Sequence, residues 1–417
     1  MAIGKQKTVV LYPSLGVELA KVFLRRGVAV VIAAVESPDA TGRLAAAIPG
    51  ITFRHLPVPP TSHPIMRTID VLRVAKPALR AFLRALPAVD VLVVDMFCTD
   101  ALDVAAELGD LAVMLHLPYN FPVRPLRDMP ETALHFPGVP PIRAMDMATT
   151  MQDRESDIAR ARLRQCARMP GARGFLVNSF DWLEARALKT LRCGLCTPGL
   201  STPPVYCIGP LVLPGNTTGG GGSERHACLA WLDTQPNRSR GAWCSSASAR
   251  TRQRFLWVVR NPPEHPYESL EPDMEALLHE GFLDRTRERG LVVMNWAPQM
   301  EVLQHDAVGA FVTHCGWNSA LQGIVSGVPT ICWPLYSEQR MNKVHMVEEM
   351  KVGVAVEGYE EELVRAEELG AKVKLVMESE EGKRLRERLV TAKEMAVDAL
   401  KEGGSSDVAF DEFLKGL

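Results

Sequence analysis

The chain has 417 residues, long for one compact domain and comfortable for two. Apolar residues make up 47% of it and the formal net charge is -2. That composition suits a globular protein with a buried core and provides neither a basic field for nucleic acid nor a polybasic patch for a membrane surface.

The first element read from the N-terminus is a short apolar run, Val9 to Tyr12, preceded by a polar start that lacks the charged-apolar-small order of a secretory signal. A turn at Pro13-Ser14-Leu15-Gly16 follows, then a helical pattern from Val17 to Leu24 that stops at Arg25-Arg26-Gly27. A second buried strand is predicted at Val28 to Ala33, so the start reads as a parallel βαβ unit. Another strand is predicted at Val91 to Asp95, with a helix over Ala101 to Leu108. Residues Pro118 to Pro141 are rich in proline, lack periodicity and read as loop. A strand over Gly174 to Asn178 then leads into a helix from Trp182.

Cys193 and Cys196 form the one C-x-x-C among nine cysteines. No second Cys or His pair stands near enough to complete a zinc site, so free thiols in a reducing cytosol are expected, and with them a cytoplasmic location. No apolar run reaches the roughly 18 residues of a membrane helix. Residues 213–226, from Leu213 through the four glycines Gly219 to Gly222, read as a linker between an N-terminal domain, 1–212, and a C-terminal domain, 227–417. Beyond it, strands are predicted at Phe255 to Val259, Leu291 to Met294, Ala310 to Thr313 and Thr330 to Trp333. Two doubly wound α/β sheets joined this way place a ligand cleft between them, outside the carboxyl ends of the strands.

The most informative segment runs from Trp296 to Gln339: WAPQMEVLQHDAVGAFVTHCGWNSALQGIVSGVPTICWPLYSEQ. Any one of its residues has a plain reading, since a lone Trp after a strand is usually core and a lone His at a strand end is usually a bonded loop residue. The fixed spacing of the whole set reverses that. The segment resembles, almost position for position, the signature box of plant family-1 UDP-dependent glycosyltransferases. The starting βα unit, the Val94 to Asp100 segment, the Leu176 to Phe180 stretch and the helices after Ser379 look like the same family. The resemblance implies the two-domain GT-B architecture, with the acceptor held by the N-terminal domain and the donor by the C-terminal one, onto which the last helix need not pack: it can return to the N-terminal domain.

It also implies roles. Trp296 would stack on uracil, while the backbone at Ala297 and the amide of Gln299 pair with the base edge. His314, Gly316, Asn318 and Ser319 would meet the diphosphate, at a helix N-terminus whose dipole suits an anion. Trp317 would sit beside the sugar, and Glu338 and Gln339 would hold its hydroxyls. A Gln at the last position is similar to glucose-using members. Gln322 stands where the family has a ribose-gripping Glu, a change worth about 1 kcal/mol.

Three departures stand out. The family's base is a His in a Gly-rich turn after the first strand, oriented by an Asp that Asp95 matches. Here only Leu15-Gly16 lies between Ser14 and Val17, and the first histidine of the chain is His55, a weak substitute. After Leu108-Gly109, Asp110 to Val113 reads as the succeeding helix, where the family has a further strand. Between Arg238 and Arg254, the Ser-, Ala- and Arg-rich text offers no apolar run for a central strand, although Ser245-Ser246 could lie near the phosphates. Loss of a general base costs roughly 10²- to 10⁴-fold in rate. The expected activity is therefore transfer of glucose from UDP-glucose, with inversion, to a hydroxyl of a small phenolic acceptor such as a flavonoid or anthocyanidin. No metal or other cofactor is implied, since the box has no Asp-x-Asp, and a monomer is the default expectation. The alternative is a donor-binding pseudoenzyme or a misassembled gene product.

Overall fold

The computed structural model describes residues 6–12, 16–35, 49–56, 71–108, 111–115, 125–153, 155–196, 199–212, 226–236, 241–244, 253–260, 272–361 and 363–417. Ser14, Leu15, Gly109, the glycine-rich stretch and the Ser245-Ser246 pair lie outside these.

The first sheet is built from β1 (Thr8–Tyr12), β2 (Ala29–Ala34), β3 (Ile51–His55), β4 (Val91–Asp95), β5 (Leu111–Leu115), β8 (Gly174–Val177) and β9 (Val205–Cys207). A separate antiparallel pair, β6 (Ala133–Leu134) and β7 (Ile142–Arg143), falls between β5 and β8 in the chain. The order is β3-β2-β1-β4-β5-β8-β9, all parallel. Side chains alternate across a strand. Val9 and Leu11 of β1 therefore enter one core layer while Val10 and Tyr12 enter the opposite one. The helices α1 (Val17–Arg25), α2 (Lys76–Ala85), α3 (Ala101–Leu108), α4 (Asp157–Arg168) and α5 (Ala185–Arg192) belong to this half of the chain.

The second sheet contains β10 (Gly241–Cys244), β11 (Arg254–Val259), β12 (Gly290–Met294), β13 (Ala310–Thr313), β14 (Thr330–Cys332) and β15 (Gly353–Ala355). Its order, β12-β11-β10-β13-β14-β15, is again all parallel. This is the doubly wound nucleotide-binding order, with its reversal point between β10 and β13. Its main helices are α6 (Ala227–Asp233), α7 (Gln299–Gln304), α8 (Trp317–Ser326), α9 (Gln339–Val344), α10 (Ala366–Glu378), α11 (Glu380–Leu400) and α12 (Ser405–Lys415).

Two sequence expectations are corrected. Leu111–Leu115, read as the start of a helix, is a strand with β4 on one side and β8 on the other. Gly241–Cys244, in text judged unable to form a central strand, lies at the centre of the second sheet between β11 and β13. A strand flanked on both edges takes its backbone hydrogen bonds from its neighbours, so four residues without a long apolar run suffice. The helix expected from Trp182 starts later, at Ala185.

The two halves share structure. Phe180, Leu183 and Val212 from the first half pack with Leu321, Ile324, Met346 and Leu389 from the second. The last helix, α12, returns to the first sheet. Phe410 and Phe413 join α1 and β1 in one core layer, with Phe410 edge-on to Phe23 at 5.0 Å. Ser406 Oγ donates to Gly209 O at 2.8 Å, and Arg26 pairs with Asp407 and Asp411.

Candidate active site

The C-terminal ends of the second sheet's strands carry the residues the box singled out. Asn295, Cys315 and Ser337 follow β12, β13 and β14, and each has positive φ, at 61°, 65° and 56°. Non-glycine residues rarely adopt this left-handed conformation, and it gathers where a loop geometry serves a ligand. Cys315 is buried, with Thr313 Oγ1 accepting from its backbone N–H and Asn342 Nδ2 donating to its carbonyl at 2.9 Å. The turn thus places His314 and Gly316 directly before α8. The first bond within that helix runs from Ala320 N to Gly316 O, so the N–H groups of residues 317–319 precede the helical ladder.

His314 is half-buried, and its pKa lies below the usual histidine value. Burial is the main cause, Arg260 adds to it and Glu338 opposes it. At neutral pH it is an uncharged imidazole that can donate or accept one hydrogen bond. A β-carbon at Gly316 would lie 2.5 Å from His314 Nε2, so glycine is what lets the ring fold over the helix start. Trp296 is exposed, meets His226 edge-on at 5.7 Å and stands beside the buried Ala297. Gln299 opens α7, and its Nε2 donates to Ser319 Oγ at 3.2 Å and to Gln322 Oε1 at 2.6 Å. Those three side chains form one polar chain between α7 and α8.

Asn318 and Trp317 reach across to the other half. Trp317 Nε1 donates to Asn178 O at 2.8 Å, and Asn178 Nδ2 donates to Asn318 Oδ1 at 3.1 Å. Asn178 follows β8, so the carboxyl ends of the two sheets meet here. Glu338 is exposed and Gln339 buried at the start of α9. Gln339 Oε1 accepts from the backbone N–H groups of Leu335 and Tyr336, at 2.9 and 3.0 Å. That fixes the side chain and leaves its amide nitrogen to donate.

Asp95 ends β4, beside β1 at the first sheet's own reversal point. Its Oδ1 accepts from Phe97 N at 2.8 Å. Burial raises its pKa, against the pull of that N–H and of Arg162. Tyr12 closes β1 with a buried hydroxyl that has no hydrogen-bond partner among the described residues, and burial pushes its pKa well up. His55 ends β3, the edge strand. Three strand spacings of about 4.8 Å separate that strand from β4, roughly 14 Å in all. His55 is therefore not placed beside Asp95.

The sequence profile of the UDP-glucoronosyl and UDP-glucosyl transferase family matches residues 240–392. An anthocyanidin 5,3-O-glucosyltransferase from a Rosa hybrid cultivar is 38% identical over 391 residues, covering 86% of this chain and 82% of the relative. A phloretin 2'-O-glucosyltransferase from Pyrus communis is 37% identical, covering 84% and 82%. The structure of a Polygonum tinctorium UDP-glucosyltransferase capable of glucosylating indoxyl superposes with a TM-score of 0.84 at 32% identity, covering 99% of this chain and 98% of that one. Phytolacca americana UGT2, solved with UDP-2fluoro-glucose and pterostilbene, also gives 0.84, at 30% identity and 99% coverage of both chains. The chain belongs to the UDP-glycosyltransferase family. Its fold is GT-B, and it is a transferase.

Nothing in these likenesses supports the alternative of an impaired or misassembled glycosyltransferase. Two of its three grounds also fall with the observation of β5 and β10 in their sheets. The absent histidine near Leu15 remains a real difference in this UDP-glycosyltransferase. Sequence reasoning missed two residues of the site. Arg260 follows β11 and lies close enough to His314 to depress its pKa, while its Nε donates to Asn295 O at 2.8 Å. A basic residue directly after an apolar strand was the available signal. Asn178 was read only as a strand end, and no local pattern announces a partner 140 residues away. Among the described residues no group of three or more His, Cys, Asp and Glu could hold a metal ion, and no helix is long and apolar enough to cross a membrane.

Proposed function

We propose that this chain transfers glucose from UDP-glucose to a hydroxyl of a small phenolic acceptor, of the flavonoid or anthocyanidin class, with inversion at the sugar. The observation that carries the reading is the assembly of the box at one sheet edge, with the strained turn at Cys315 aiming His314 and the start of α8 at a common point. The named relatives that act on anthocyanidin and phloretin support the acceptor class.

In this reading uracil lies on Trp296. The diphosphate meets the α8 N-terminus, Asn318, Ser319 and His314. His314 serves as a neutral hydrogen-bond donor, and the positive charge comes from the helix dipole and Arg260. Gln322 takes the ribose hydroxyls through the end of its amide not bonded to Gln299. Glu338 and the amide nitrogen of Gln339 hold the glucose. No metal is required.

Attack by the acceptor oxygen forms the new bond to the anomeric carbon as the bond to UDP breaks, and the hydroxyl proton must go to a base. Asp95 takes that proton itself. Among the described residues around the first sheet's reversal point, Tyr12 and Cys98 are fully buried with raised pKa values, and Asp100 is paired with Arg168 at 3.3 Å. Asp95 is only partly buried and holds a carboxylate made more basic by its surroundings.

The test is the melting temperature of the purified chain with UDP-glucose, followed by product analysis with a flavonol. Ligand at a hundredfold excess over Kd should add about 2.7 kcal/mol of stability. A melt unmoved by UDP-glucose, or no glucoside formed, would sink the proposal.

A further inference from the structure

The segment from Ile142 to Gln152 comes from the first half of the chain, yet it is fastened to the second. Three side chains make a closed triangle. Tyr359 OH donates to Asp146 Oδ1 at 2.6 Å, Lys343 Nζ donates to Asp146 Oδ2 at 3.1 Å, and Lys343 Nζ donates to Tyr359 OH at 2.8 Å. Arg143 also bonds Asp146, at 3.0 Å, and Tyr359. The Asp146 and Lys343 side chains are only 2% and 10% exposed, and the ammonium lies 4.6 Å from the centre of the Tyr359 ring.

Lys343 belongs to α9, the helix that Gln339 opens. The same segment grips that helix at its start, on both sides of the residues that face the donor. Thr149 N donates to Ser337 O at 3.2 Å, one residue before Glu338. Arg340 donates to Met145 O at 3.1 Å, one residue after Gln339. Beneath these bonds Leu126, Leu134, Ile142 and Met147 pack on Met341 and Val344 of α9.

Apolar packing alone would hold the two pieces together, and a buried ion pair is a costly way to add to it. What directional bonds add is register: they allow one axial and rotational setting of α9 where packing would allow several. The setting of α9 decides where Glu338 and Gln339 stand. Trp296 sits on another element, and α9 touches the turn that carries His314 from the far side, through the bond from Asn342 Nδ2 to Cys315 O, so its setting bears first on Glu338 and Gln339.

We propose that Asp146, Lys343 and Tyr359 are positioning residues for the donor sugar, locking the 142–152 segment to α9 so that Glu338 and Gln339 meet the glucose hydroxyls. The inference rests on the donor reading given above. It separates the two parts of the donor: the lock acts on the sugar more strongly than on the nucleotide.

The experiment measures binding of UDP and of UDP-glucose by calorimetry, with KM and kcat, for the full chain and its Tyr359→Phe and Asp146→Asn variants. The expected result is UDP affinity within about twofold of wild type while KM for UDP-glucose rises about fivefold to tenfold, the consequence of a misplaced hydrogen bond. UDP-glucose constants within twofold of wild type in both variants would overturn the inference, whatever happens to the melting temperature. Equal weakening of UDP and UDP-glucose would overturn it too. If neither variant folds, hydrogen exchange on the wild-type chain decides. UDP-glucose must slow exchange over 142–152 and 337–340 more than UDP does, and equal protection by the two ligands rejects the lock. A wild-type chain that bound UDP but not UDP-glucose would instead overturn the donor reading itself.

Discussion

Asp95 shows how one residue's surroundings can change its task. Where a neighbouring histidine takes the proton, an aspartate need only orient it. Here the turn after β1 has none, and the carboxylate, partly withdrawn from water at the end of β4, has a pKa above the ordinary aspartate value. Transfer needs its ionised form. kcat/KM should therefore be level at neutral pH and fall as pH drops through that raised value, at a higher pH than an exposed aspartate would give. Asp95→Asn should lower kcat by roughly 10²- to 10⁴-fold and remove the acid limb. Retention of the wild-type acid limb by the variant would show that another group is the base. The sequence marks this residue through the family resemblance, which implies an orienting acid there and not the base. Arg260 and Asn178 were harder to see, since their importance comes from partners that only the fold brings near.

At the scale of elements, legibility followed residue type and surrounding text and not strand length. Val9 to Tyr12, Val91 to Asp95 and Ala310 to Thr313 were readable because buried parallel strands need continuous apolar residues. Leu111–Leu115 is composed of Leu, Ala, Val and Met, mostly good helix formers, and became a strand because β4 and β8 offered it two edges. Gly241–Cys244, no shorter than Ala310–Thr313, was hidden by its leading glycine and by the Ser- and Arg-rich text around it. The donor box was legible for another reason: its residues are close in sequence, so their spacing survives without the fold. Among the helices, α12 offers a direct test. Phe410 is fully buried against Phe23 and Phe413. Truncating such a ring leaves a cavity, so Phe410→Ala should cost about 3–5 kcal/mol in a denaturant titration, although the residue packs in the first sheet's core and not among the donor-box residues. A loss below about 1 kcal/mol would mean that α12 contributes little to the first sheet's stability.

On the scale of the whole molecule, the halves are joined by far more than the residues between Val212 and His226. They share the apolar layer around Phe180 and Leu321, the Asn178 contacts with Trp317 and Asn318, and the return of α12. A chain carrying a protease site inserted within 213–225 and cut there should still elute as one particle of undiminished size in gel filtration. Two separated fragments would show that these contacts are weaker than their burial implies. The sequence divided the chain into two domains at its glycine-rich stretch, but gave no measure of this adhesion, because residues far apart in sequence supply both sides of it.

The return of α12 also bears on how the protein is made. Residues 405–415 leave the ribosome long after β1 and α1, which they cover. The apolar face built by Phe23, Val9 and Leu11 must wait until all the intervening chain is made before Phe410 and Phe413 can close over it. Domains otherwise fold in order of synthesis, and a face left open meanwhile is prone to aggregate. A nascent chain stopped before Ser405 would carry every residue of the donor box and still lack the piece that finishes this core.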